Sequence, residues 1–102
     1  MSDKVIVVTE KTFDGEALQG DVLVDFSAAW CGPCKRQLPI LEKLVEETGT
    51  KVVKVDIDDS PALAKRFFIR SVPTLVLLKN GESIKSKSGL SSLEELKKFI
   101  NS

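Results

Sequence analysis

At 102 residues the chain is long enough for one hydrophobic core. Fifteen Lys and Arg balance fifteen Asp and Glu, and histidine is absent, so no net field draws the chain to nucleic acid or an anionic membrane. The composition, 42% hydrophobic and 29% charged, is that of an ordinary globular protein. The longest early apolar run, Val5 to Val8, falls short of a signal-peptide core of about 7 to 15 residues, and Asp3 precedes it. No stretch approaches the roughly 18 apolar residues of a membrane span. The expectation is a single domain over residues 1–102, cytoplasmic, with no nucleic-acid or membrane partner.

Strands and helices alternate along the chain. The β-branched run 5–8 reads as a strand. Residues 9–20 open on Thr9, a cap-forming residue, and close on Gly20, which places a short helix between them. Residues 21–28, DVLVDFSA, are nearly all apolar, as in a strand buried on both faces. A helix is predicted from Cys31 to about Thr48, with Ile40, Leu41, Leu44 and Val45 on one face, Gly49 at its end and a kink at Pro39. Residues 51–57 form the next strand, and Ser60-Pro61 is a cap and first-turn pair opening a helix over PALAKRFF. TLVLL (74–78) is a strand, Asn80-Gly81 a hairpin turn and residues 82–88 an exposed, charged edge strand. Ser91 and Glu94 have capping-box spacing ahead of a last helix that turns Leu93, Leu96, Phe99 and Ile100 inward. The βαβ units call for parallel pairing and the Asn80-Gly81 turn for an antiparallel pair. The outcome is an α/β fold with a mixed sheet covered by helices on both faces.

Both cysteines fall in AAWCGPCKR, residues 28–36, with only Gly32 and Pro33 between them. A structural disulfide is a poor explanation, because so small a loop gives the least stabilisation. Two thiols without histidine make at most half a zinc site. Inert core cysteines do not account for the Gly-Pro spacer. Redox chemistry accounts for the spacing. Cys31 follows a buried strand and a short turn and so falls at a helix N-terminus, where unpaired N–H groups and the helix dipole favour a thiolate. Pro33 fits the first turn, and Cys34 lies one turn on along the same face. A thiol of pKa near 8.5 is about 3% ionised at pH 7, and lowering the pKa to about 7 gives roughly 16-fold more thiolate. A Brønsted slope of about 0.4–0.5 takes back roughly 5-fold in nucleophilicity, leaving a net gain of about 3-fold. The positioned second thiol and a docking surface must therefore supply the rest of the catalysis.

The segments VDFSAAWCGPCK, KVDIDDSPALAKRF and IRSVPTLVLLKNG, followed by the amphipathic last helix, resemble the thioredoxin family over about Lys4 to Ile100. The resemblance implies a thioredoxin fold, a five-stranded mixed β-sheet flanked by four α-helices. It also implies reduction of protein disulfides by reversible dithiol–disulfide exchange, with Cys31 as nucleophile, Cys34 as resolving thiol and the two together as the redox disulfide. No bound cofactor or metal is implied. On this resemblance electrons are expected from NADPH through thioredoxin reductase, or from ferredoxin through its thioredoxin reductase. Clients of the family include ribonucleotide reductase, peroxiredoxins and methionine sulfoxide reductases, and the chain is expected to be a monomer.

The same resemblance assigns Asp25 to the buried acid before the active site, Lys54 to the lysine beside it, Pro73 to the cis-proline facing the cysteines and Trp30 to the flanking indole. Asp25 lies between Val24 and Phe26, where an unpaired carboxylate is costly; its functional reading is a proton relay that deprotonates Cys34. Lys54 reads either as a modulator of that acid or as an ordinary surface lysine. Taken alone, the sequence makes Val72–Pro73 trans, since only about 5–6% of X–Pro bonds are cis; the resemblance makes it cis. Trp30, Gly32, Pro33, Ile57, Val72, Gly89 and Leu90 then form, with Pro73, an apolar client-binding patch, Val72 pairing with an added client strand. The chain departs from the family pattern at Ser27, where an aromatic residue is frequent, at Arg36 and Gln37 where apolar residues are common, and at Phe68, Ser71 and Ser88. A docking platform that does not use its thiols, or an oxidase or isomerase of the same fold, are the competing readings. Replacing the cysteines discriminates the first, and the redox potential the second.

Overall fold

The computed structural model describes residues 4–101, so Asp3 and the outermost residues of the expected 1–102 domain lie outside it. In chain order the elements are β1 (Val5–Val8), α1 (Phe13–Ala17), β2 (Asp21–Ser27), α2 (Gly32–Thr48), β3 (Lys51–Asp56), α3 (Pro61–Arg66), β4 (Thr74–Lys79), β5 (Glu82–Ser88) and α4 (Leu93–Asn101). They build one five-stranded mixed sheet in the order β1-β3-β2-β4-β5. β1 and β2 run parallel to β3 between them, whereas β4 pairs antiparallel with both β2 and β5.

Strand β2 sits at the centre, and six of its seven residues are buried, as its apolar sequence requires. Its side chains alternate between two cores. Val22, Val24 and Phe26 pack with Phe13, Ala17 and Leu63 of α1 and α3. Leu23 faces the other way and packs with Leu41 and Leu44 of α2 and Leu96 of α4. Period-two alternation therefore puts Asp25 and Ser27 on the α2 side, beside Lys54, which pairs with Asp25 in the parallel β2–β3 register. At the β4–β5 turn both Asn80 (φ 49°) and Gly81 (φ 84°) are left-handed, the combination a two-residue hairpin of this hand requires.

α2 runs as expected through Pro39, which lies on its exposed side, to a left-handed Gly49 whose N–H returns to Val45 O at 2.9 Å. Other local expectations shift. α3 stops at Arg66 rather than running through Phe68, and Ser60 precedes it without making a side-chain cap. Thr9 stands further ahead of α1 than a cap does, and Thr12 takes the N-cap position. The capping box of α4 is one residue later than the spacing Ser91/Glu94 indicated. Ser92 N–H donates to Glu95 Oε1 (2.8 Å) and Glu95 N–H donates to Ser92 Oγ (3.2 Å).

Candidate redox site

The site forms where the chain leaves the carboxyl end of β2. Residues 28–31 make a short turn, and Cys31 takes an extended conformation (φ −93°, ψ 112°) as N-cap of α2. Its Sγ accepts the N–H of Cys34 at 3.1 Å, so one of the orphan donors of the first turn points at the sulfur. Pro33 occupies that first turn, where its missing N–H costs nothing. Cys31 and Cys34 are joined as a disulfide, with Cα atoms 5.2 Å apart, and both are buried. They form a small apolar cluster with Ala28, against which Ile57 and Val72 pack.

Pro73 follows a cis peptide bond, so the expectation drawn from the resemblance holds and the one drawn from X–Pro frequencies alone does not. The turn of Ser71 to Pro73 brings Val72 O within 3.8 Å of Cys31 Sγ, where it is available as an acceptor for the thiol form. Gly89 (φ 88°) donates its N–H to Pro73 O at 2.8 Å and so carries the end of β5 to the same place. Beyond it Leu90 is exposed, as are Gly32 and Pro33 at the tip of α2. Trp30 is 70% exposed, with its indole Nε1 donating to Asp58 Oδ2 at 2.9 Å. Asp58 is held in turn by its own N–H, which donates to Asp56 Oδ1 at 2.8 Å.

Asp25 is fully buried, and neither carboxyl oxygen has a hydrogen-bonding partner among the described residues. Burial pushes its pKa from the ordinary 3.8 up to about 7, with the charge of Lys54 pulling the other way. The acid therefore shares its proton with solution near neutrality, which is the condition for moving one. Lys54 is half-buried and lines, with Ser27, Ala28, Ala29, Cys34, Lys35 and Leu38, a cleft of about 240 Å³ beside Cys34. Among the described residues no group of three or more Cys, Asp or Glu is placed to hold a metal ion, and no helix is long and apolar enough to cross a membrane.

The sequence reading missed two contributors. Gln37 is fully buried; its Nε2 donates to Ser91 O (3.0 Å), and Ser91 N–H donates to its Oε1 (2.8 Å). This clamp ties α2, one turn past Cys34, to the loop that carries Gly89 and Leu90. The signal was present, since Gln37 falls at helical spacing with Leu41 and Leu44 on the buried stripe, where a polar group needs a partner. Asp58 gave no such signal within the acidic run 56–59. Phe68, a departure from the family pattern, is 85% exposed and holds a left-handed backbone (φ 56°), unusual for an aromatic residue.

Comparison with known proteins agrees with this geometry. The thioredoxin family model matches residues 4–102. Thioredoxin from Bacillus subtilis is 39% identical over 99 residues, covering 95% of each chain. Thioredoxin from Listeria monocytogenes is 43% identical over 96 residues, covering 92% of this chain and 93% of that one. A single-site mutant of thioredoxin from Halobacterium salinarum NRC-1 superposes with a TM-score of 0.90 at 39% identity, over 96% of this chain and 88% of that structure.

Proposed function

Because this chain belongs to the thioredoxin family and is a protein-disulfide reductase working by dithiol–disulfide exchange, we propose that Cys31 is its attacking thiolate and Cys34 its resolving thiol. The observation that carries the assignment is the placing of Cys31 Sγ at the N-cap of α2, accepting the Cys34 N–H. A fixed amide dipole and the positive end of a 17-residue helix both favour negative charge on that sulfur. Cys34, one turn inside, lacks this position and lines the cleft that Ser27 and Lys54 also line.

In the first step the Cys31 thiolate attacks one sulfur of a client disulfide. A Cys31–client bond forms and the client's second sulfur leaves as a thiolate. In the second, Cys34 loses its proton and attacks Cys31 Sγ; the mixed disulfide breaks, and its electron pair departs with the client sulfur. The client gains two electrons, and Cys31 and Cys34 become the disulfide. Asp25, held near neutrality, takes the Cys34 proton, and the nearby Lys54 charge tunes its affinity for it.

Family membership brings two kinds of partner, a reductase and disulfide-bearing client proteins. We assign the reductase to a thioredoxin reductase fed by NADPH or by ferredoxin. Clients are of the ribonucleotide reductase, peroxiredoxin and methionine sulfoxide reductase kinds. The chain acts as a monomer in the cytoplasm. Clients dock on Trp30, Gly32, Pro33, Ile57, Val72, Pro73, Gly89 and Leu90; the convergence of four separate loops at the disulfide end of the sheet supports that patch, and Val72, just outside β4, is the residue with which an added client strand pairs. The test is reduction of insulin disulfides by dithiothreitol. The chain accelerates it, and Cys31→Ser abolishes the acceleration; a parent protein no faster than buffer rejects the proposal.

A further inference from the structure

Ser27, the last residue of β2, is fully buried, and its Oγ has no hydrogen-bonding partner among the described residues. A hydroxyl buried in this way keeps its desolvation cost without a compensating hydrogen bond, and an alanine would avoid that cost. Its surroundings are not those of a core hydroxyl. Ser27 lines the same cleft as Cys34 and Lys54, and it follows Asp25 by two residues on the same face of β2. The cleft reaches solvent beside Ala29 and Lys35, both exposed, and at about 240 Å³ has room for several waters at about 30 Å³ each.

We propose that Ser27 is a positioning residue for the second half of the exchange, its hydroxyl being a hydrogen-bonding station in the cleft behind Cys34 through which that thiol's proton is passed on. This rests on the assignment of Cys34 as the resolving thiol. When the S–H bond of Cys34 breaks, Cys34 bonds to Cys31, the bond from Cys31 to the client breaks, and the client sulfur leaves with the electron pair. The proton is relayed past Ser27 to the ionised Asp25 carboxylate or to solvent at the cleft mouth. The charged and titratable groups that line the cleft are Lys54 on β3 and Cys34 and Lys35 on α2, and Asp25 stands two residues before Ser27 on the same face of β2, in register with Lys54. The rest of the lining is apolar carbon or backbone, so a hydroxyl at residue 27 is the polar side chain that β2 itself supplies there.

The experiment is single-turnover kinetics of the reduced protein with a fluorescently labelled disulfide peptide, followed across pH. It resolves mixed-disulfide formation from peptide release. Ser27→Ala slows release about 10-fold, less than the 10²–10⁴ of a direct acid–base group, and moves its pH profile to higher pH. Formation of the mixed disulfide keeps its parent rate, and Ser27→Thr, which restores the hydroxyl, recovers release. Release by Ser27→Ala at the parent rate with the parent pH profile overturns the proposal, as does an equal fall in both steps. Failure of Ser27→Thr to recover release, with Ser27→Ala as stably folded as the parent, also overturns it. In a Cys34→Ser control the mixed disulfide is trapped; release there at the parent rate overturns instead the assignment of Cys34 on which the proposal stands.

Discussion

Asp25 sets two demands against each other at a single residue. Burial without a hydrogen-bonding partner holds its proton up to a pKa of about 7, which suits proton transfer near neutrality but opposes folding once the carboxyl is charged. In the unfolded chain the same group ionises near 3.8. Below that pH both states hold the proton and there is no penalty. Between about 4 and 7 the folded state binds more protons than the unfolded one, so stability falls as pH rises, and above about 7 the loss is complete. A shift of that size corresponds to roughly 4 kcal/mol. Urea unfolding of Asp25→Ala and the parent, measured from pH 4 to pH 8, should therefore show the variant gaining on the parent by about that amount as pH rises. A difference that stays flat across this range means that the carboxyl is not held protonated by burial. The acid itself was legible in the sequence, because a lone Asp between Val24 and Phe26 in an apolar strand has few ordinary explanations. Ser27 was not legible as more than a departure from the family pattern, since a small polar residue at a strand end carries no periodic signal.

At the level of elements, α2 does two jobs: its tip presents Cys31, and its buried stripe anchors it to the sheet and to the loop before α4. The Gln37–Ser91 clamp joins these jobs. Gln37→Leu keeps the volume and removes both hydrogen bonds, leaving the buried N–H and C=O of Ser91 unpaired. Each orphaned group costs about 1–3 kcal/mol, and the added leucine surface offsets part of it, so equilibrium unfolding should show a loss of about 2 kcal/mol. Faster amide exchange at residues 89–92 should accompany it; unchanged stability and exchange mean that the clamp holds nothing. The strand and helix order, the parallel and antiparallel pairings and the Asn80-Gly81 turn were all legible, because alternation and turn chemistry act locally. Helix ends were less so. Ser91/Glu94 and Ser92/Glu95 have identical spacing, and only the burial of Ser91 against Gln37 decides between them. Ser60 in sequence reads as a cap, but its hydroxyl is buried and has no hydrogen-bonding partner among the described residues.

For the whole molecule, the topology gathers distant stretches at one end of the sheet. The turn after β2 brings residues 28–34, the turn after β3 brings Ile57 and Asp58, the approach to β4 brings Val72 and Pro73, and the end of β5 brings Gly89. The nine-residue segment AAWCGPCKR has the spacing of a redox pair by itself, but the packed strand behind Cys31 and the helix ahead of it exist only in the folded chain. The sequence identified the motif; the pairing of Pro73 with Gly89 and of Trp30 with Asp58 depended on contacts between residues far apart in the chain. The most direct measurement is the rate of Cys31 alkylation by iodoacetamide as a function of pH, with Cys34→Ser to isolate the one thiol, in folded protein and again in denaturing urea. The folded chain should titrate well below the pKa of about 8.5 of a free thiol, and the unfolded chain should return to it. Coincident folded and unfolded titrations would contradict the account.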